Sequence, residues 1–175
     1  MFQFSPLSRR TLGDIPGFVK RLHSFLTEVM QCCEGFSYAP LLAVEVRNGE
    51  LLTRAFADAL KDAGARYCLG VHARMPKPEA QLPILRALWP GPLVVRWNLH
   101  AGIKYDEAKA QYAPFNRLVD EDPASRAVLA KVAVATALAG QPVYVSVNNK
   151  AEGSAPLSIW HLAQEIAGIL TRETG

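Results

Sequence analysis

The residues with the most chemical potential stand at the ends of short hydrophobic runs. Val44-Glu-Val-Arg47 sets Glu45 and Arg47 two residues apart, and Val95-Arg-Trp-Asn-Leu-His100 does the same for Arg96, Asn98 and His100. In an extended strand such residues point to one side. Arginines beside a carboxylate suit the capture of a small anion, with Glu45 as a candidate general base and Arg96 as its charged partner. Asn148, Asn149 and Lys150 follow Val143-Tyr-Val-Ser-Val147 and would add amide hydrogen bonds and a further positive charge. Ser154 stands with Gly153 just before the last helical pattern, where backbone N–H groups can hold a phosphate or carboxylate. The plainer alternative is that Ser154 caps that helix, with Pro156 in its first turn. Polar residues also end strands simply because strands end at solvent, and Glu45 with Arg47 or Arg96 can be a structural ion pair. The recurrence of the pattern on four runs favours one shared site.

Other chemistries find less support. His72, His100 and Glu45 are conceivable metal ligands, but His23 and His161 fall within helical patterns and the spacing is not diagnostic, so no metal and no cofactor is assigned. There is no Gly-x-Ser-x-Gly, no Walker loop, and no cysteine with a paired histidine; Cys68 sits mid-strand, where a thiol is inert. A net charge of +3 with 20% charged residues gives no electrostatic case for nucleic acid or an anionic membrane. Three cysteines, two of them adjacent, make a poor disulfide set and point to a reducing cytoplasm. The start of the chain does not read as a secretory signal, and Val128 to Gly140, interrupted by Lys131, is too short to span a bilayer.

These residues need elements to position them. Apolar residues at i, i+3, i+4 and i+7 mark helices around Phe18 to Val29, Leu52 to Ala63, Val128 to Leu138 and Ile159 to Leu170. Asp14 and Asp122-Pro123 open the first and third, and Gly64 and Gly140 close the second and third. A shorter helix from Glu79 to Leu88 is interrupted by Pro83, and Tyr105 to Tyr112, near Arg117, reads as a short helix that either packs or covers the strand ends as a lid. Between them lie runs of strand length: Phe2 to Ser5, Leu41 to Arg47, Arg66 to Val71, Leu93 to Asn98 and Val143 to Val147. Several are apolar at consecutive positions, as in strands covered on both faces of a parallel sheet. Trp89, Trp97 and Trp160 read mainly as core. The result is an α/β chain of five strand–helix units, in one domain over residues 1–175. Without a Gly-rich first turn it resembles an incomplete TIM-like barrel, about five of eight units, more than an open doubly wound sheet.

Four segments carry a resemblance to a known family: Ala43-Val-Glu-Val-Arg47, Val94-Val-Arg-Trp-Asn98, Tyr105 to Phe115, and Val143 to Ser154. They resemble the domain of unknown function 72 family, the YecE-like proteins, from about Phe2 to the last helix. The resemblance implies a TIM-like barrel without established activity, and carries Glu45, Arg47, Arg96, Asn148 and Asn149 over as motif positions. It also implies that this sequence corresponds to the C-terminal portion of the barrel, as a truncated member or one whose units pair with another copy.

The expected function is binding of a small polar or anionic molecule where the strands end. Arg47, Arg96 and Lys150 would supply charge, Asn98, His100, Tyr105, Asn148, Asn149 and Ser154 contacts, and Glu45 a base. The alternatives are a nucleic-acid processing barrel, resting on fold analogy, and a catalytically silent interaction module. Self-association through exposed sheet edges is the expected protein contact.

Overall fold

The computed structural model describes residues 1–38, 40–99 and 103–174. Its five parallel strands are β1 (Phe2–Gln3), β2 (Ala43–Glu45), β3 (Arg66–Val71), β4 (Leu93–Trp97) and β5 (Val143–Val147). They lie in one sheet in the order of the chain. Each strand pairs with the next without reversal, so there is no switch point of the doubly wound kind; successive winding is how a barrel is built. Seven helices are found among the described residues: α1 (Arg9–Leu12), α2 (Ile15–Cys32), α3 (Arg54–Asp62), α4 (Pro78–Ala87), α5 (Tyr105–Tyr112), α6 (Pro123–Leu138) and α7 (Ala155–Thr174). The fold is the partial TIM-like barrel that the strand–helix order predicts. No described helix is long and apolar enough to cross a membrane.

Local chemistry sets the helix ends. Asp14 Oδ1 accepts the Gly17 N–H at 2.9 Å, Thr53 Oγ1 the Phe56 N–H at 3.2 Å, and Asp122 Oδ1 the Ser125 N–H at 3.0 Å. Each satisfies a donor that the first helical turn leaves open. α1, a single turn inside what reads as a loop, is capped by Ser8 in the same way at 3.2 Å. Pro83 removes one intrahelical bond but leaves α4 continuous from Pro78 to Ala87.

Alternation along the strands separates two faces. Val44, Val46, Tyr67, Leu69, Val71, Leu93, Val95 and Trp97 are buried in the main core, together with Phe18, Leu22 and Leu26 of α2, Phe56 and Leu60 of α3, and Leu129 of α6. This outer face of the sheet, covered by the helices, is where burial stabilises the fold, at about 1.5–3 kcal/mol for each large apolar side chain. The opposite, concave face carries Gln3, Glu45, Arg47, Cys68, Gly70, Val94, Arg96, Tyr144 and Ser146.

Two expectations of burial are overturned. β5 is not covered on both faces: Tyr144 is 52% exposed and Ser146 is exposed, because β5 is an outer strand of the sheet and its concave side meets no neighbour. Trp89 and Trp160 are 46% and 62% exposed, and only Trp97 is core. Trp89 follows the end of α4 and lines a groove with Leu82, Leu85 and Lys131, while Trp160 lies on the outward side of α7.

The paired part of β2 is also shorter than its apolar run, and α4 supplies the reason. Arg66 N–H bonds to Leu42 across to β2, so the same-parity polar groups of Gly70 point that way too. There the Gln81 side chain takes them instead, accepting from Gly70 N at 3.3 Å and donating to Gly70 O at 2.8 Å. Gln81 also donates to Pro76 O and accepts from the Tyr67 hydroxyl, each at 2.7 Å. Its fully buried amide thus ends the β2–β3 ladder and opens the concave face just where Glu45 and Arg47 emerge.

Candidate functional site

Glu45, the last residue of β2, is 1% exposed and lies between two arginines. Arg96 Nη1, from β4, donates to its Oε2 at 2.8 Å. Arg47 Nη2 reaches Oε1 at 2.7 Å as an ion pair, off the direction of a hydrogen bond, so Oε1 and the buried Arg47 Nε both lack a hydrogen-bond partner. Arg96 Nη1 also donates to Gln3 Oε1, on β1. Gly70 of β3 stands between the two arms of the cluster; a Cβ there would lie 3.8 Å from Glu45 Oε1. Four consecutive strands therefore meet around one carboxylate: β2 carries it, β4 bonds it through Arg96, β1 bonds that arginine through Gln3, and β3 makes room with Gly70.

The electrostatics follow from the count of charges. Two guanidiniums share one carboxylate, leaving one positive charge in excess at a largely buried place. Burial pushes the Arg47 guanidinium down from its ordinary range, against the pull of Glu45, and Arg96 adds to the fall; an arginine remains cationic nonetheless. Burial and then Glu45 raise the Cys68 thiol to about 12, which keeps it protonated and unreactive. Burial, then Arg47, Arg74 and Arg96, lower His72 to about 4. No group of three or more histidine, cysteine or acidic side chains able to hold a metal occurs among the described residues.

The segment after β5 has a different architecture. Asn148 continues the ladder, its N–H bonding to Trp97 O at 2.8 Å, and its Oδ1 accepts the Lys150 N–H at 3.0 Å. Asn149 Oδ1 accepts the Ala155 N–H at 2.8 Å and so caps α7. Ser154 is buried, and its carbonyl accepts the Ser158 N–H at 2.9 Å as the helix begins. Glu152, fully buried, takes the Asp122 N–H at 2.7 Å and an Arg126 guanidinium at 2.5 Å on Oε1, while its carbonyl accepts from Val119 N. Burial opposes the charge of Arg126, but Glu152 and Glu121 more than offset it and its pKa is raised. Gly153, at φ +116°, lets this turn pass the preceding loop; a Cβ would fall 2.6 Å from Arg117 O. The segment is thus a clamp joining the starts of α6 and α7.

Lys150 faces the rim. Its Nζ lies 4.3 Å from the centre of the Tyr105 ring, at the start of α5, and 5.8 Å from that of Phe115. Tyr105 is exposed, whereas Tyr112 is buried and its hydroxyl bonds Asp120 Oδ2 at 3.1 Å; burial, then Asp120, raise Tyr112 to about 12. α5 packs in a small cluster of its own, Leu99, Ala108 and Tyr112 with Ile103, Phe115 and Val119.

Of the residues named from the sequence, Arg47 and Arg96 both meet Glu45. Asn148, Lys150 and Tyr105 form a second group at the strand ends, and Asn98 follows β4 with its N–H on Val71 O at 3.0 Å. Asn149 and Ser154 are engaged at the start of α7. His100 lies outside the described residues. Gln3, Gln81, Arg126 and Glu152 join these groups only in the structure. Gln3 was open to the parity rule, between Phe2 and Phe4; Gln81 and Arg126 carry no signal in a polar-looking helix turn.

A family model described as a protein of unknown function, DUF72, matches residues 1–173. No curated protein and no solved structure matches the chain. The match runs from the first strand to the last helix and so takes in every group described above. By this match the chain belongs to the DUF72 family.

Proposed function

We propose that this protein binds a small anionic, polar molecule on the concave face where the strands end, with Arg96 and Arg47 as the charged contacts. The observation that carries the reading is the convergence of two guanidiniums on one buried carboxylate. Glu45 holds both in place but neutralises only one of them, and partial burial leaves the remaining charge less screened than that of a fully exposed arginine. Arg96, 29% exposed at its side chain, is the member an incoming ligand reaches. Lys150 and the side-chain amides of Asn148 and Asn98, whose N–H groups have no partner among the described residues, are suited to the ligand's outer edge, with Tyr105 beside them. In this reading Glu45 orients the arginines; proton abstraction by it requires that a ligand first displace one of them.

The test is thermal unfolding with added sulfate or inorganic phosphate. A ligand at one hundred times its Kd stabilises the folded form by about 2.7 kcal/mol, which moves Tm by several degrees in a chain of this size. The expected result is a saturable rise in Tm that is lost in Arg96→Ala. No rise with any anion overturns the reading, and salt-dependent DNA binding that persists at physiological ionic strength would favour nucleic-acid processing instead.

A further inference from the structure

The histidine that follows β3 deepens this reading, and rests on it. His72 has the parity of Cys68 and Gly70, so it is the next concave-side residue towards the strand ends after a position with no side chain. Its Nδ1 accepts the Arg74 backbone N–H at 3.2 Å, which places the ring proton of the neutral form on Nε2. The ring is half-buried, and no carboxylate of the described residues forms an ion pair with it. The charged groups acting on it are Arg47, which follows β2, Arg74 from its own loop and Arg96 from β4, with Glu45 holding the first and the last.

We propose that His72 is a neutral hydrogen-bond donor of the anion site, its Nε2–H joining Arg47 and Arg96, and that the ligand is a fully ionised oxyanion of the sulfate or phosphate-ester class. Every group in this set donates, so a ligand is favoured for offering acceptors only, with none of its oxygens protonated. Burial and the three arginines, which hold the imidazole at about 4, keep it in that form throughout the physiological range.

Sulfate is the suitable probe, because it stays dianionic while pH is varied. Its affinity for the folded full chain, measured by titration calorimetry between pH 5.5 and 8, is expected to be flat. His72→Ala should weaken it roughly tenfold, as loss of one donor to a charged acceptor does. His72→Gln, which keeps an N–H, should retain most of it. Affinity that climbs as pH falls through about 6.5, the ordinary histidine range, would overturn the proposal by showing a cationic ring. So would a folded His72→Ala protein that binds like the wild type while Arg96→Ala does not, a result that leaves the site itself standing. Sulfate binding that is absent, or indifferent to Arg96, overturns the site and this inference together.

Discussion

Two buried carboxylates in this chain meet arginine in opposite ways. Glu152 is sealed: fully buried, it fastens the turn before α7 to the start of α6 through Arg126, whose side chain is 5% exposed. Glu45 is equally buried, yet Arg96, one of its partners, opens to solvent. Removing one member of a sealed pair strands the other charge in the interior, at about 3–5 kcal/mol. Arg126→Ala should therefore lower the unfolding free energy by that order in urea denaturation. Arg96→Ala leaves Glu45 with Arg47 and access to water, and should change stability far less while removing the anion response. Equal losses in the two variants would mean that Arg96 is structural and would sink its assignment to a ligand. The difference is not legible in the sequence, since Glu45 lies inside an apolar run and Glu152 in a polar turn, and neither setting shows which arginine will open to solvent.

At the scale of elements, the turn between β5 and α7 is a joint. Asn149 caps α7 and Asn148 orders the turn, so the polar segment that reads as an anion cradle is largely consumed by its own backbone. Asn149→Ala should cost about 1 kcal/mol of stability and leave the anion-induced Tm rise in place; loss of that rise at unchanged stability would make Asn149 a ligand contact. Much of this level was legible. The β-branched run Val143 to Val147 and the caps Asp14 and Asp122 state their elements outright, because each is a local rule acting on neighbours in sequence. What escaped is non-local. Gln81 reaches eleven residues back to end a strand ladder, and nothing at position 81 announces this. α1 is a single turn, below the length at which apolar periodicity can register. The tryptophans misled because composition tells how apolar a residue is, while exposure depends on what stands beside it.

For the whole molecule, the decisive fact is that the two outer strands of the sheet, β1 and β5, have no further strand beside them among the described residues. Parallel strands owe their stability to cover on both faces and partners on both sides. Here Tyr144 is exposed on the concave side of β5, and Phe2 and Phe4 border a groove of about 350 Å³ with Phe18, Leu22 and Phe25. Neither edge carries an inward lysine or a proline within the strand, and the short length of β1, two residues, is its one guard against pairing. Because all strands run the same way, a second copy turned about an axis along the strands would set β5 of each chain beside β1 of the other. Its contacts would be met on both sides at once, which closes the assembly at two copies. Light scattering across a range of concentrations should then give a mass above the 19.1 kDa of one chain, and Tyr144→Lys, which places a charge on the open side of β5, should shift the protein towards that single-chain mass. A monodisperse 19.1 kDa particle at every concentration would mean that the edges are protected by their own twist and short length, and that the anion site works on a half-open sheet.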